Sequence, residues 1–469
     1  MPRPGARSPL RGGRTLHRYR RITPPGPGAF HPRRGAQALG GRVPRFFENV
    51  FIGAGISCLA AARRRRGDSI VLEAAARPGG LCRSERVEGF TFDYTGHLLH
   101  LRRPRVRRWV RRLLGDNLAR HRRSAWIFSS GVYTRYPFQG HFHGLPPRVA
   151  AECLLGFFEA LQRGRPGRAR DFASWARAQF GAGVARHFMI PYNRKLWTVD
   201  PAELTLEWLD RFVPRPGLEQ VVRGALEDVD DAAGYNACFH YPRRGGIESL
   251  VEALARGLRL ECGQRVTTID LQHRRLRLAG GEEIAFGNLA SCIPLPRLVR
   301  MCRPLPDSVR ERAGELRWAG VYNLNLGLPG PAPARHWVYL PERRFRPYRF
   351  GYASNFSAAL APAGHHAVYV EASYRGGRRP DRRRLRRRLL ADLAAAGVIT
   401  SRRRPVVTCE LDIPCAYVIY DRRRTPAVRA IRRYLEQRRV FPIGRYGRWE
   451  YSSMEDALWQ GLQLAERLA

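Results

Sequence analysis

Lysine is almost missing from this chain: of its 83 basic residues, Lys195 alone is lysine and the rest are arginine. The bias runs through the whole sequence, so the formal charge of +43 reads as a general surface property rather than a dedicated patch. No zinc-finger spacing or RNA-binding aromatic motif accompanies the arginines. A specific nucleic-acid partner is therefore not expected, only weak, salt-sensitive polyanion adsorption. Long apolar runs are missing too. No window approaches the ~18 consecutive apolar residues of a membrane-crossing helix, which excludes a transmembrane segment of that kind. The nine cysteines are odd in number and form no CxxC pair, so neither a disulfide framework nor a structural zinc site is indicated. No metal is expected, and a reducing, cytoplasmic setting fits this cysteine usage. Residues 1–45 contain 11 arginines and no acidic residue. They also lack the apolar h-region of a secretory signal, and their low serine content argues against an organelle address. They are expected to be a disordered basic extension that builds no core.

What remains is rich enough to fold. Hydrophobic residues make up 44% and aromatics 10% of 469 residues, which suits two or three domains or one large α/β unit. Order is expected to begin at RFFENVFIGAGISCLAAARRRRGDSIVLE. Val50 to Ile52 reads as a buried strand, Gly53-Ala54-Gly55 as a tight turn and Ile56 to Arg66 as a helix. Ser69 to Leu72 reads as a second parallel strand ending in Glu73, 20 residues after Gly53. This is a β-α-β unit of the dinucleotide-binding type. Glycines at a strand–helix junction let a pyrophosphate reach bare backbone N–H groups at a helix N-terminus. A carboxylate at the end of the second strand suits ribose hydroxyls. Cys58 stands where the third glycine of the fingerprint is expected, a position that governs packing more than phosphate contact. The competing reading is a glycine-rich turn with no ligand.

The segments RPGGLCRS (77–84) and GFTFDYTGHLLH (89–100) follow. Gly79-Gly80 resembles the second glycine motif of FAD-binding proteins of the amine oxidase and protoporphyrinogen oxidase type. TGHLLH is similar to the GPHIFH-like segment of the UDP-galactopyranose mutases, which share that fold. The resemblance implies FAD as cofactor, held at Gly53, Gly55, Ile56, Glu73, Gly79, Gly80, Leu81 and Arg83. It places His97 beside the flavin ring and His100 a short step further on. Thr95 stands where relatives often have glycine.

Further segments carry the resemblance onward. KLWTVDPAELTLEWLDRFVPRP (195–216) looks like the mutases' K-x-W…P-x-E-L…R-x-P-x-R segment. It implies that Lys195, Trp197 and Arg211 lie on the substrate side, with Arg215 as the second arginine of the pair. NACFHYPRRGGIESLVEALA (236–255) resembles the family's P-x-x-G-G return segment, whose Gly245-Gly246 would admit a close ligand or a sharp turn. RPYRFGYASNF (346–356) resembles the segment that supplies a further substrate arginine, here Arg349. FPIGRYGRWEYSSMEDALWQG (441–461) looks like the closing G-R-x-x-x-Y-x-Y-x-x-M motif. By that match Gly444, Arg445 and Met454 meet the FAD, Tyr451 reaches the substrate, and Trp449 replaces an aromatic.

The implied architecture is an α/β chain. A Rossmann-type FAD-binding domain comes in three parts (46–103, 236–315 and 433–469), with an inserted helical segment at 104–235 and a β-rich substrate domain at 316–432. The resemblance implies a flavoenzyme acting on a UDP-sugar through reduced flavin, with His97, Arg211, Arg349 and Tyr451 as its working residues. The alternative on the same fold is an FAD-dependent oxidoreductase of the amine oxidase or protoporphyrinogen oxidase type. Either way the partner is a small-molecule substrate; the oligomeric state is open. For Lys195 two readings stand: a remnant of biased composition, or a site that a planar guanidinium fork cannot enter.

Overall fold

Strand β1 (Arg45–Ile52) is hemmed in on both sides, which explains its apolar run. It pairs in parallel with β2 (Ser69–Glu73) through Val50↔Ile70 and Ile52↔Leu72, and with the strand Glu283–Ser291 through Ile52↔Ser291. Strands covered on both faces carry continuous hydrophobic sequence. Between them runs helix α1 (Ile56–Arg64), buried from Ile56 to Ala62. The helix stops two residues short of the expected Arg66: Arg65 is already extended, and Gly67 follows with φ +125°. This computed structural model describes residues 44–65, 67–164, 169–209, 212–230 and 237–468. Almost all of the basic segment 1–45 lies outside the described residues, as does Arg211. The described residues belong to one compact unit.

The sheet around β1 has eight strands drawn from distant parts of the chain. Residues 45–73 supply two, residues 260–303 supply five, and Val440–Pro442 adds the last beside Glu283–Ser291. The turn expected at Ala279-Gly280-Gly281 joins Arg275–Leu278 to Glu283–Ser291 as an antiparallel hairpin. The closing helix Met454–Arg467 packs on α1, where a Cβ on Gly461 would fall 2.4 Å from the Ser57 carbonyl oxygen.

A second, seven-stranded sheet holds the β-rich region. Its long strands Trp318–Pro329, His365–Arg375 and Val407–Val418 are antiparallel neighbours. Here the expectation of a helical 104–235 needs correction. Ala125–Ser129 and Val132–Arg135 are strands at one edge of this sheet, joined in parallel to Trp337–Tyr339. Leu118–Arg122 pairs with Cys238–Pro242 as a separate ribbon. The helices Pro104–Leu114, Pro147–Gln162 and Phe172–Val184 do form. The basic segment near 378–396 is a helix over Arg382–Ala395, with Leu385, Leu389 and Leu393 buried and its arginines turned outward.

Candidate functional site

Two glycine turns face each other at the end of β1. Gly53 has φ +87°, a conformation that side chains with a Cβ rarely adopt. A Cβ at Gly53 or at Gly55 would also sit 3.0 Å from the Cys292 sulfur. Gly79, at φ +116°, donates its N–H to the Ala54 carbonyl at 2.8 Å. Gly80 stacks against Gly55, with a Cβ there only 3.8 Å from the Gly55 Cα. Glu73 accepts from the Ala54 N–H at 2.7 Å and the Ala75 N–H at 2.8 Å, which fixes its carboxylate beside the turn. Ile56 opens α1 and is buried. Leu81 packs half-buried on the core, and Arg83 donates to the Gly80 carbonyl at 3.1 Å and lies over the Tyr94 ring. Cys58 fills the third-glycine position fully buried, its thiol directed at the Ile52 carbonyl.

The loop carrying His97 is pinned from the second sheet. A Cβ on Gly96 would fall 2.6 Å from the Tyr369 hydroxyl, so glycine is required for this approach. Thr95, in the place of a family glycine, takes the left-handed φ of +71°. Nδ1 of His97 is buried and has no hydrogen-bond partner. Burial first, then the cationic Arg445 and Arg349, push the His97 pKa down to about 4, so the imidazole is neutral at pH 7. His100 turns elsewhere, its Nδ1 meeting the Cys238 carbonyl at 3.3 Å. The Gly245-Gly246 pair makes a sharp turn, with φ of +83° and +68°, Gly245 pressed against Ser249 and Gly246 against Ser84 and Asp93.

Arg445 follows Gly444, whose own φ is +73°. It donates to the Ser452 carbonyl at 2.9 Å and the Ala416 carbonyl at 3.1 Å, and lies 4.8 Å from the Tyr451 ring centre. Among the described residues no carboxylate pairs with it, and its Nε is buried without a partner. Arg349 differs. It forms a two-pronged ion pair with Glu371, which is fully buried. Burial would lower the Arg349 pKa, but Glu371 overcomes that and raises it well above the usual value. Met454 opens the closing helix; its sulfur lies 3.6 Å from that of Cys82. Ser453 caps this helix through the Asp456 N–H, with Asp456 returning to the Ser453 N–H.

The substrate-side residues are placed less uniformly. Tyr451 packs among Trp197, Tyr417 and Phe212, with ring centres 4.7 to 6.0 Å away. Trp197 is fully buried and donates to Asn193 at 3.0 Å, so its indole supports Tyr451 and offers no face to a ligand. This revises its expected substrate role. Lys195 is revised as well: its ammonium donates to the Leu340 and Glu342 carbonyls. Burial and then Arg346 bring its pKa down to about 7. Its compact charge suits that narrow carbonyl pair, the kind of site a planar fork cannot enter. Arg211 lies outside the described residues, and Arg215 rests over the Trp175 ring. Sequence reasoning missed Glu371 and the tyrosines around it. Tyr348 and Tyr417 share a 3.3 Å hydroxyl contact, and Tyr192 meets Tyr339 edge-on at 5.3 Å. The one available signal was a lone acid inside the apolar strand AVYVEASY.

The model of the flavin-containing amine oxidoreductases matches residues 56–469. This chain belongs to that family. It is a flavoenzyme with FAD as its cofactor. The geometry fits the group: opposed glycine turns, a fixed carboxylate at Glu73, and the buried His97 Nδ1 and Arg445 Nε, each without a partner. Among solved structures, a reduced UDP-galactopyranose mutase is 26% identical, with a TM-score of 0.85 over 90% of this chain and 95% of its own. A putrescine oxidase bound to putrescine is 16% identical, with a TM-score of 0.62 over 91% of this chain and 99% of its own. A fatty acid isomerase from P. acnes is 15% identical, with a TM-score of 0.59 over 90% and 98%. These last two share the fold. Among the described residues no helix is long and apolar enough to cross a membrane.

Proposed function

We propose that this chain is a UDP-galactopyranose mutase-like flavoenzyme, rearranging a nucleotide-linked sugar without net oxidation. One observation carries the reading: Arg445, a half-buried guanidinium with no carboxylate partner among the described residues, faces phenols and a neutral imidazole. A buried unpaired cation is costly, and an anionic ligand removes that cost. FAD, once reduced, supplies the electron-rich centre at which the sugar's anomeric carbon exchanges its diphosphate. The chain's own residues supply the rest. Amides of the two glycine turns and Glu73 hold the cofactor's diphosphate and ribose. His97 stays neutral and offers a hydrogen bond without adding a third positive charge. Tyr451, backed by Trp197, orients the substrate, and its raised pKa keeps the phenol a donor at pH 7. Arg349 contributes direction more than net charge, because Glu371 neutralises it. Arg211 stands as a second diphosphate ligand on the strength of its motif. Lys195 fixes the 340–342 turn rather than touching the sugar.

A second reading, amine oxidation, is favoured by the tyrosine-lined surroundings of the buried Glu371, which suit a cation. One experiment separates the two. Anaerobic, dithionite-reduced enzyme is incubated with UDP-galactopyranose, and the furanose isomer is followed by chromatography. Turnover that vanishes when the flavin is left oxidised supports the mutase. No isomer, together with oxygen consumption when a diamine is added to the oxidised enzyme in air-equilibrated buffer, overturns it in favour of the oxidase.

A further inference from the structure

An apolar hollow with an arginine rim lies where the helices Leu295–Met301 and Asp307–Gly314 pack together, joined through the short strand Cys302–Arg303. Its volume is about 310 Å³, at the small end of the range for small-molecule pockets. Helical spacing explains its walls. Pro296, Val299 and Arg300 stand at i, i+3 and i+4 on the first helix, and Arg310, Ala313 and Gly314 repeat that spacing on the second. Arg303 and Leu305, from the connection between the helices, complete the lining.

The floor is apolar: Pro296, Val299, Leu305 and Ala313 are all buried. The charged groups in the lining are the three arginines, and no carboxylate is among the lining residues. Arg310 is matched by an ion pair with Asp307, which lies one turn away on its own helix. Among the described residues no carboxylate pairs with Arg300 or Arg303. Arg303 is nonetheless held in place, because one of its nitrogens donates to the Arg300 carbonyl at 3.0 Å and the Cys302 carbonyl at 2.7 Å. This contact also covers the C-terminal end of the first helix, whose partial negative charge would otherwise oppose an anion.

A purely apolar guest would leave two guanidiniums unmatched beside it, and a small inorganic anion would leave the floor in water. An acidic head on a hydrocarbon chain meets both demands. We propose that this cavity binds a monocarboxylate with an apolar chain, its head between the Arg300 and Arg303 forks and its chain on Val299, Leu305 and Ala313. The site shares no residue with the cofactor and sugar positions, so it stands whether or not the mutase reading holds.

The test titrates the flavin-loaded protein calorimetrically, at fixed ionic strength, with octanoate. Acetate and 1-octanol serve as the head and the chain alone. Octanoate is expected to bind at least about tenfold more tightly than either. Two variants act on the two halves of the site. R300E reverses the charge of an exposed side chain at the rim. G314F places a ring on the cavity wall where a Cβ would meet no atom within 4 Å, so it fills the space without a backbone clash. R387E makes the same charge change on the exposed face of the Arg382–Ala395 helix. Wild type and R387E are expected to bind octanoate alike, and R300E and G314F about tenfold or more weakly. Octanoate affinity that either R300E or G314F leaves unchanged overturns the proposal. So does acetate or octanol binding as tight as that of octanoate, or a wild type that binds no octanoate.

Discussion

Glu371 has no exposure, and its one strong partner is Arg349. Removing one member of a buried pair leaves the other charge unmatched, at a cost of about 3–5 kcal/mol. E371A is expected to lose stability on that scale in urea unfolding, whereas E371Q, which keeps the hydrogen bond, loses less. His97 yields a pH signature. Its pKa falls from the usual 6.5 to about 4 on folding, so between those values the unfolded chain binds a proton that the folded chain refuses. Stability is complete above pH 6.5 and declines as pH drops toward 4, by at most roughly 3 kcal/mol for this residue. Unfolding of wild type and H97Q at pH 7 and pH 4.5 should show a smaller drop in the variant. For Lys195, K195R is expected to cost about 1–2 kcal/mol, because its ammonium bridges the Leu340 and Glu342 carbonyls, and on the reading proposed above to leave the bound flavin's absorption unchanged. Lys195 was visible in the sequence as an oddity; Glu371 was not. A single acid in an apolar strand shows its meaning only once Arg349 lies beside it.

At the scale of elements, the β1–α1–β2 unit could be read almost residue by residue. Its contacts are local, and each glycine has a conformational reason that a pattern of letters preserves. Gly53→Ala combines a disfavoured φ with a Cβ 3.0 Å from the Cys292 sulfur. We expect it to weaken FAD binding about tenfold or more, seen as loss of the yellow colour on gel filtration. The strands Leu118–Arg122, Ala125–Ser129 and Val132–Arg135 could not be read so easily. Their sequence, LARHRRSAWIFSSGVYTR, is crowded with arginine, and two of the three pair with strands far along the chain, Cys238–Pro242 and Trp337–Tyr339. Nothing local distinguishes such edge strands from loop. The closing motif was legible as letters, yet that no carboxylate among the described residues pairs with Arg445 became visible only with its neighbours in place.

At the scale of the whole molecule the charge of +43 dominates behaviour in solution. Surface ion pairs such as Arg163–Glu159 and Arg277–Glu283 are each worth little, and with 83 basic residues against 40 acidic ones they leave that excess uncompensated. Retention on heparin is expected to fall steeply with added salt, and DNA binding to be equal for unrelated sequences; a sequence preference would contradict this. The cofactor half of the molecule has one more property, set by the order of its parts. Its eight-stranded sheet takes a strand from Val440–Pro442, and α1 is covered by Met454–Arg467 so tightly that Gly461 admits no side chain. While the ribosome is still making this polypeptide, the nucleotide crevice therefore lacks a wall. A premature stop codon between the substrate sheet and Met454 should release a product that cannot retain its pigment.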